Sequence, residues 1–204
     1  MESKTILAMY SGGLDSLGMI YQLLTSPEYQ GYSLHIHHVH NKNIENRFKA
    51  EAIVVRQALD ELVRMGFRFK YSESEIGSQP YNQMFMYDSD LVSFFAGYIC
   101  SANPDIVKVA IGMNATDSNH SLEERRKRAD TILTAFTEVK KIYPVLNMSK
   151  HEIYNSLPES LRNYFWSCRT PVYNETSIDA CGKCRSCLQL EESGIKEKYE
   201  QISH

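Results

Sequence analysis

The sequence has few of the features that mark membrane proteins, secreted proteins or proteins that coat nucleic acids. It contains no apolar run long enough to cross a bilayer. Its first residues lead straight into an apolar β-type stretch, so we expect no secretory signal and a cytoplasmic location. A formal net charge of only −3 gives no sign of extensive nucleic-acid binding. No internal repeat or low-complexity tract is visible, and 204 residues suit one α/β domain with a small appendage.

The two commonest phosphate-binding signatures are also absent. There is no Gly-Lys-Ser/Thr of a Walker motif and no Gly-x-Gly-x-x-Gly of a dinucleotide fold. Instead, Ser-Gly-Gly-Leu-Asp-Ser at 11–16 joins an apolar β-type stretch to an apolar helical one. Gly12 and Gly13 permit positive φ and close approach of a ligand, and Asp15 or Ser16 can cap the helix. The N–H groups at the helix start then form an anion site suited to phosphate, with a tight turn lacking any ligand as the alternative.

Apolar β-type and helical stretches alternate along the chain. The pattern predicts strands over 4–10, 32–39, 67–71, 106–113 and 142–146, helices over 16–25, 44–65, 91–100 and 122–139, and a loop over 72–83. This alternation predicts an α/β fold with a parallel, Rossmann-like sheet, helices on both faces and right-handed crossovers. We expect a nucleotide-binding domain over 1–148, followed by a helical and zinc-binding segment over 149–204.

Polar residues follow the predicted strands at the sheet edge where ligands bind in such folds. His38 and His40 come at the end of the second strand, and Asn114, Asp117 and Asn119 come after the fourth. We expect these side chains to converge in one crevice with the 11–16 loop. Asp117 is a candidate for positioning a metal ion or a substrate amine, with a turn and helix cap as the alternative.

Three further polar clusters allow both functional and structural interpretations. The histidines at 35, 37, 38 and 40 suggest a metal site, but no carboxylate lies nearby in sequence, which favours hydrogen-bonding roles at the strand edge. The charged run at 123–128 is either a solvated helix face or a basic patch that holds phosphates or a carboxylate. Ser149 and Glu152 fit a capping box at the start of a helix.

Four of the five cysteines lie near the end of the chain, at Cys168, Cys181, Cys184 and Cys187. The Cys-x-x-Cys-x-x-Cys spacing puts three thiolates close together on a turn entering a helix, and Cys168 can supply the fourth. Four thiolates suit a closed, tetrahedral, structural Zn²⁺ site. An iron–sulfur cluster is the second interpretation and a redox pair the third. A closed site leaves no position for chemistry, so its role would be to order the loop that closes this end of the fold.

Together these motifs resemble the 7-cyano-7-deazaguanine synthase family. Its members are pyrophosphate-loop enzymes (N-type ATP pyrophosphatases with an adenine nucleotide alpha hydrolase-like fold) of the queuosine-precursor pathway. The resemblance spans nearly the whole chain. It rests on the 11–16 loop, Ile-Gly-Met-Asn at 111–114 with Asp117, Tyr-Pro-Val at 143–145 with Ser-Lys-His-Glu at 149–152, and Trp-Ser-Cys at 166–168 with the cysteines at 181–187.

The resemblance implies a specific reaction with ATP and ammonia. The carboxylate of 7-carboxy-7-deazaguanine attacks the α-phosphate of ATP, ammonia displaces AMP to give an amide, and a second ATP activates the amide for conversion to the nitrile. By resemblance, Ser11, Asp15 and Asp117 act in catalysis. The leaving pyrophosphate, with Mg²⁺, is held by Ser11, Gly12, Gly13, Leu14, Asp15 and Ser16. The four cysteines hold structural zinc, and the family suggests a homodimer with no membrane or nucleic-acid partner.

Several positions depart from the family pattern on the side that would recognise the deazaguanine. The family's Tyr-Gly-Gln is replaced by the sequence at 38–41, and its Val-Pro-Gly-Arg-Asn by the sequence at 86–90. Its Tyr-Pro-Asp-Cys-Arg is replaced by the sequence at 119–123, and no Arg follows soon after the last cysteine. We therefore expect a pocket that is either roomier or refilled by Arg125, Arg126 or Arg128. An amide product, another carboxylate substrate, a tRNA-modifying enzyme and a non-catalytic nucleotide-binding partner are the alternatives.

Overall fold

A five-stranded parallel sheet forms the centre of the molecule, for which a computed structural model describes residues 4–77, 87–115, 120–195 and 201–203. The strand order is β3-β2-β1-β4-β5, and every neighbouring pair is parallel. The strands are β1 (Thr5–Met9), β2 (Ser33–Lys42), β3 (Lys70–Gly77), β4 (Ile106–Ile111) and β5 (Lys140–Ile142). The predicted α/β fold class is confirmed, because strand–helix–strand alternation produces parallel neighbours.

Helices cover both faces of this sheet. They are α1 (Leu14–Thr25), α2 (Phe48–Arg64), α3 (Asp88–Ala102), α4 (His120–Thr134), α5 (Lys150–Ser156) and α6 (Arg185–Glu192). Side chains of β1 alternate between two cores, as the period of a strand requires. Ile6 and Ala8 face a core built with α1, α2 and α5, whereas Leu7 and Met9 face a core built with α3 and α4. No helix in the described part of the chain is long and apolar enough to span a membrane.

The predicted bounds are wrong at several strand ends. The segment 72–77, predicted as a loop, continues β3 to Gly77, because it pairs with β2 from His35↔Lys70 to Lys42↔Gly77. Its polar composition is tolerated because β3 lies at the sheet edge. The last strand ends at Ile142 instead of beginning there, since Pro144 has no N–H for a ladder and a turn follows. Residues 78–83 of the predicted loop lie outside the described residues.

The C-terminal part adds a small antiparallel sheet that the sequence pattern did not predict. It contains β6 (Val172–Tyr173), β7 (Ser177–Asp179) and β8 (Gln201–Ser203), which are too short to leave an alternating pattern. Buried Trp166 and Leu190 of this part belong to the same core as α1. The division at 148/149 stays a prediction.

Helix α5 packs directly against α1, which positions one end of the site. A Cβ on Gly18 of α1 would overlap the side chain of Ile153 of α5, so the glycine permits the close approach. The predicted capping box is confirmed: Ser149 accepts from the N–H of Glu152, and Glu152 accepts from the N–H of Ser149. This cap fixes the start of α5, and with it the position of Lys150.

Candidate active site

The loop between β1 and α1 is a tight turn held by its own hydroxyls. Gly12 has a φ of +84°, a conformation that favours glycine. The Ser11 and Ser16 hydroxyl oxygens lie 3.0 Å apart, and Ser16 donates to the carbonyl of Gly13 at 2.9 Å. The backbone carbonyl of Gly12 accepts from the N–H of Trp166 at 2.8 Å, so the C-terminal part also holds the loop.

The predicted capping by Asp15 or Ser16 is wrong. Helix α1 begins at Leu14, with Gly13 as its N-cap and no side-chain cap, so Asp15 and Ser16 already lie within the first turn. Gly13 has no side chain with which to satisfy the first-turn N–H groups. The positive end of the helix is therefore left to a ligand, as in other anion sites at helix starts.

Asp15 is the charged centre of this loop. Its Oδ2 accepts hydrogen bonds from Asn114 Nδ2 and from Lys150 Nζ, each at 2.8 Å. The Lys150 side chain is only 11% exposed, so the ion pair is largely shielded from water. Oδ1 of Asp15 is buried and has no hydrogen-bond partner among the described residues. A buried carboxylate oxygen without a partner is suited to a cation or a ligand donor.

Gly112 allows β4 to pass directly behind the loop. A Cβ at this position would lie 2.5 Å from the Cα and 2.6 Å from the N of Ser16. Both are backbone atoms, which cannot rotate out of the way as a flexible side chain could. A side chain at 112 would thus displace the start of α1, and Gly112 is part of the geometry that brings Asn114 to Asp15.

A cavity of about 360 Å³ opens above the loop at the carboxyl ends of β1, β2 and β4. This size falls in the range of small-molecule sites. A second compartment of about 500 Å³ adjoins it and shares lining residues with it, including Asp88, Ser89, Met113 and Arg169. The second compartment is basic. Its walls carry Arg125, Arg126, Lys141, Arg169 and Arg185 against the carboxylates of Glu45 and Asp88.

The face of β2 that lines the first cavity is not the predicted one. His37, Val39 and Asn41 line it, instead of His38 and His40. Because β2 continues to Lys42, its alternation carries the odd-numbered side chains toward the cavity. His38 is buried on the other face, where its Nδ1 donates to the carbonyl of Tyr10 at 2.8 Å, and burial lowers its pKa to about 4.

The histidines at 35, 37, 38 and 40 each make a hydrogen bond, as the favoured interpretation predicted. His35 and His37 share Ser72 as a partner, and His40 Nε2 lies 3.1 Å from a carboxylate oxygen of Glu73. Within the described ranges, the metal-ligating side chains that cluster are the four cysteines and none of these histidines. Of the loop predicted after β4, Asn114 reaches the site, whereas Asp117 and Asn119 lie outside the described residues.

A network of five charged side chains forms one wall, and sequence reasoning missed it. Arg47 contacts Asp88 at 2.6 Å and both Glu45 and Glu51 at 2.9 Å. Arg169 contacts Glu45 at 2.7 Å and Asp88 at 3.4 Å. Burial raises the pKa of Glu51 to about 7 despite the nearby Arg47. Burial would also raise the pKa of Asp88, but Arg47 and Arg169 outweigh it and hold that pKa below its usual range.

The charged run on α4 was interpreted either as a solvated face or as a basic patch for a ligand, and each interpretation fits part of it. Arg125 lies over the ring of Tyr87, 4.1 Å from its centroid, and lines the second compartment with Arg126. Arg128 instead pairs with buried Asp90 at 3.0 Å. Lys127 is exposed and pairs only with Glu123 among the contacts found in the described part. One face of the helix therefore lines the second compartment and the other is solvated.

The four C-terminal cysteines come together as predicted. Their Sγ atoms all lie within 4.8 Å of one another. Backbone N–H groups of Cys181 and Cys184 donate to Cys168 and Cys181 at 3.2 and 3.3 Å. Burial alone would raise the pKa of the Cys181 thiol, but hydrogen bonds led by that from Thr170 lower it to about 6. Clustered sulfurs that accept N–H groups form a candidate metal site.

The chain is similar in sequence and in fold to known proteins. No protein-family model matches the chain. The chain is 26% identical to 7-cyano-7-deazaguanine synthase 2 of Rhodopseudomonas palustris over 203 residues, covering 92% of this chain and 95% of that one. It also shares its fold with the U34-tRNA thiolase NcsA of Methanococcus maripaludis, solved with its [4Fe-4S] cluster (TM-score 0.56, 20% identity). That alignment covers 96% of this chain but only 66% of the thiolase. The chain is therefore similar over nearly its whole length to a 7-cyano-7-deazaguanine synthase, as the motifs in its sequence predicted, and it has the fold of the thiolase.

Proposed function

We propose that this protein uses ATP to activate a carboxylate by adenylation, with release of pyrophosphate and then AMP. The 11–16 loop supplies hydroxyls and the uncapped start of α1, both suited to the β- and γ-phosphates. Lys150, held at 2.8 Å from Asp15, adds a positive charge beside them. The unpartnered Oδ1 of Asp15 suits the Mg²⁺ that accompanies ATP, since carboxylate oxygens are preferred ligands of that ion. Asp117 remains a candidate for positioning the amine.

The observation that carries this proposal is the junction of the two compartments. The cavity above the phosphate-type loop continues into one with five cationic side chains and two carboxylates. Arg169 already pairs with both carboxylates, so positive charge is left in excess for an anionic substrate. Such a substrate would lie beside the α-phosphate of an ATP held by the loop. With the likeness to 7-cyano-7-deazaguanine synthase, this supports 7-carboxy-7-deazaguanine as substrate and ammonia as nucleophile.

For the cysteine site, we propose one structural Zn²⁺ per chain. A Zn–S bond of about 2.3 Å gives a tetrahedron with edges of about 3.8 Å, compatible with sulfurs within 4.8 Å of one another. A four-iron cluster binds each cysteine at a different iron and holds the sulfurs further apart, so it is the second candidate. The metal supplies no reaction step here. It fixes the chain between Cys168 and Cys187, from which Arg169 enters the active site.

Product analysis tests the function. We expect the purified protein, given ATP, Mg²⁺, ammonia and 7-carboxy-7-deazaguanine, to form AMP and pyrophosphate together with the deazaguanine nitrile or its amide, as identified by mass spectrometry. Omitting ammonia should leave the adenylate as the last product. Formation of ADP would contradict the proposal, and AMP release that does not depend on the carboxylate would point to a different acceptor, such as tRNA.

Arg125 provides the sharpest test of the substrate compartment. We expect Arg125→Ala to raise the KM for the carboxylate roughly 10- to 100-fold, because a charged hydrogen bond contributes about 1.5–3 kcal/mol. The KM for ATP should stay unchanged, since Arg125 lines the second compartment and not the first.

Lys127→Ala is the matched control for this substitution. Lys127 lies on the same helix, and its side chain is 75% exposed. It should leave both KM values as in the wild type. An equal effect of the two variants would show that α4 acts only through its general charge.

A further inference from the structure

Three hydrogen-bonded side chains connect the active-site cavity with a second cleft at the opposite end of the sheet. His37 Nδ1 and His35 Nε2 each lie 2.7 Å from the same hydroxyl, that of Ser72. The two histidines share one face of β2 because they are two residues apart, and the parallel register pairs His37 with Ser72 of β3. The arrangement is thus built by the sheet and not by a mobile loop.

The row formed by His37, Ser72 and His35 has different surroundings at its two ends. His37 lines the active-site cavity and is only 3% exposed, and its Nε2 is buried without a hydrogen-bond partner in the described chain. His35 lines an open cleft of about 830 Å³ near the amino ends of the strands, together with Thr5, Lys70 and Asp105. A buried ring nitrogen without a partner calls for an explanation, and a ligand in the cavity supplies one.

The shared hydroxyl couples the two rings. Ser72 has a single O–H, so it donates to one histidine and accepts from the other. When it donates to His35 Nε2, His37 must carry its proton on Nδ1, and His35 then carries its own on Nδ1. When it donates to His37 Nδ1, both rings carry their protons on Nε2. The two neutral rings therefore always share the same tautomer.

We propose that His37 accepts a proton from the attacking ammonia nitrogen, and that Ser72 and His35 conduct a proton to the opposite cleft. This inference rests on the proposed function. As the nitrogen–carbon bond forms and AMP leaves, the excess proton on nitrogen moves to His37 Nε2. Nδ1–H of His37 passes its proton to Ser72 Oγ, the Ser72 proton moves to His35 Nε2, and His35 releases its Nδ1 proton to water. One proton leaves the cavity in this step, which leaves both rings protonated on Nε2. The reverse transfer then restores the first state, by taking one proton from water in the cleft and releasing one to water in the emptied cavity.

The protonation states agree with concerted transfer. Burial is the main reason that the pKa of His37 falls to about 4, and burial also lowers the pKa of His35. Both rings are therefore neutral near pH 7, and in a concerted transfer neither ring has to hold two protons. The charged or titratable groups that face the row are His38, His40 and Glu73 near His37, and Lys70 and Asp105 near His35.

The tautomers can be tested without any substrate. In ¹⁵N-histidine-labelled protein at neutral pH, we expect both rings to be neutral and to carry their protons on Nδ1, because only this tautomer leaves His37 Nε2 free to accept a proton. Ser72→Ala should change the ring-nitrogen signals of both histidines, whereas Ser74→Ala, two residues on in β3, should leave them unchanged. Protons on Nε2 of both rings, opposite tautomers in the wild type, or signals unaffected by Ser72→Ala would overturn the proposal whether or not the proposed reaction occurs.

Turnover provides the second test. We expect Ser72→Ala to lower the ratio of amide formation to ATP–pyrophosphate exchange roughly 100-fold, as loss of proton transfer does. Ser72→Thr keeps a hydroxyl in a strand and should restore the ratio, which a purely structural role for Ser72 would not predict. An unchanged ratio in Ser72→Ala would overturn the relay. If the wild type exchanges pyrophosphate but forms no amide, the proposed function fails, and the tautomer experiment alone decides the relay.

Discussion

Replacing Asp15 by Ala is expected to lower the rate of ATP turnover roughly 100- to 1000-fold, the usual cost of removing a preorganised charged group from an active site. Asp15 Oδ2 holds both Asn114 and Lys150 at 2.8 Å, and its Oδ1 is buried without a partner in the described chain. The substitution therefore removes a candidate Mg²⁺ ligand and releases Lys150 from its position beside the loop. Ser11→Ala should act in the same direction, because the Ser11 hydroxyl lies 3.0 Å from that of Ser16.

Steady-state release of AMP and pyrophosphate measures this effect. Asp60→Ala is the control, since Asp60 is an exposed acidic residue on α2 away from both compartments. It should turn over ATP at the wild-type rate. A loss of less than tenfold in Asp15→Ala, in protein that remains folded by circular dichroism, would remove Asp15 from the catalytic machinery.

Local sequence determined the parts of the fold that were predicted well. The β1–loop–α1 unit follows from an apolar run, two glycines and a second apolar run, all within 25 residues. The length of β2 could not be predicted from local sequence in this way. Its last residues are polar and belong to the strand only because β3 pairs with them. This pairing also decides which histidines line the cavity, which is why His38 and His40 were placed on the wrong side.

The site was predictable only where its residues are close in sequence. The loop and the cysteines carry spacing signals, and the structure places the loop between β1 and α1 and brings the four cysteines together. Lys150 was noted only within the 149–152 motif and was given no role of its own, yet it reaches Asp15 across 135 residues of chain. Arg47 and Arg169 are far apart in sequence and meet through Glu45 and Asp88. No local pattern marks such pairs, because tertiary packing alone brings them together.

The cysteine site and the ATP loop are connected through a short piece of chain. Trp166 donates its N–H to the carbonyl of Gly12 at 2.8 Å, and its ring N–H donates to the carbonyl of Cys168 at 2.9 Å. Arg169, the next residue, reaches Glu45 and Asp88 in the cavity wall. Disturbing the cysteines should therefore affect the active site as well as the local fold.

Replacing Cys184 by Ser is accordingly expected to abolish metal binding and most of the soluble protein. Structural zinc contributes about 10–16 kcal/mol in small domains, where metal binding and folding are one event, and this exceeds the stability of most domains. Elemental analysis should find one zinc per chain in the wild type and none in the variant, and any soluble variant should also lose ATP turnover.

Cys100→Ser is the control, because Cys100 is buried in α3 away from the other four cysteines. It should keep the metal. If elemental analysis found iron and sulfide in the wild type, the site would hold an iron–sulfur cluster instead of zinc. A soluble, active Cys184→Ser protein would show that this site does not support the loop.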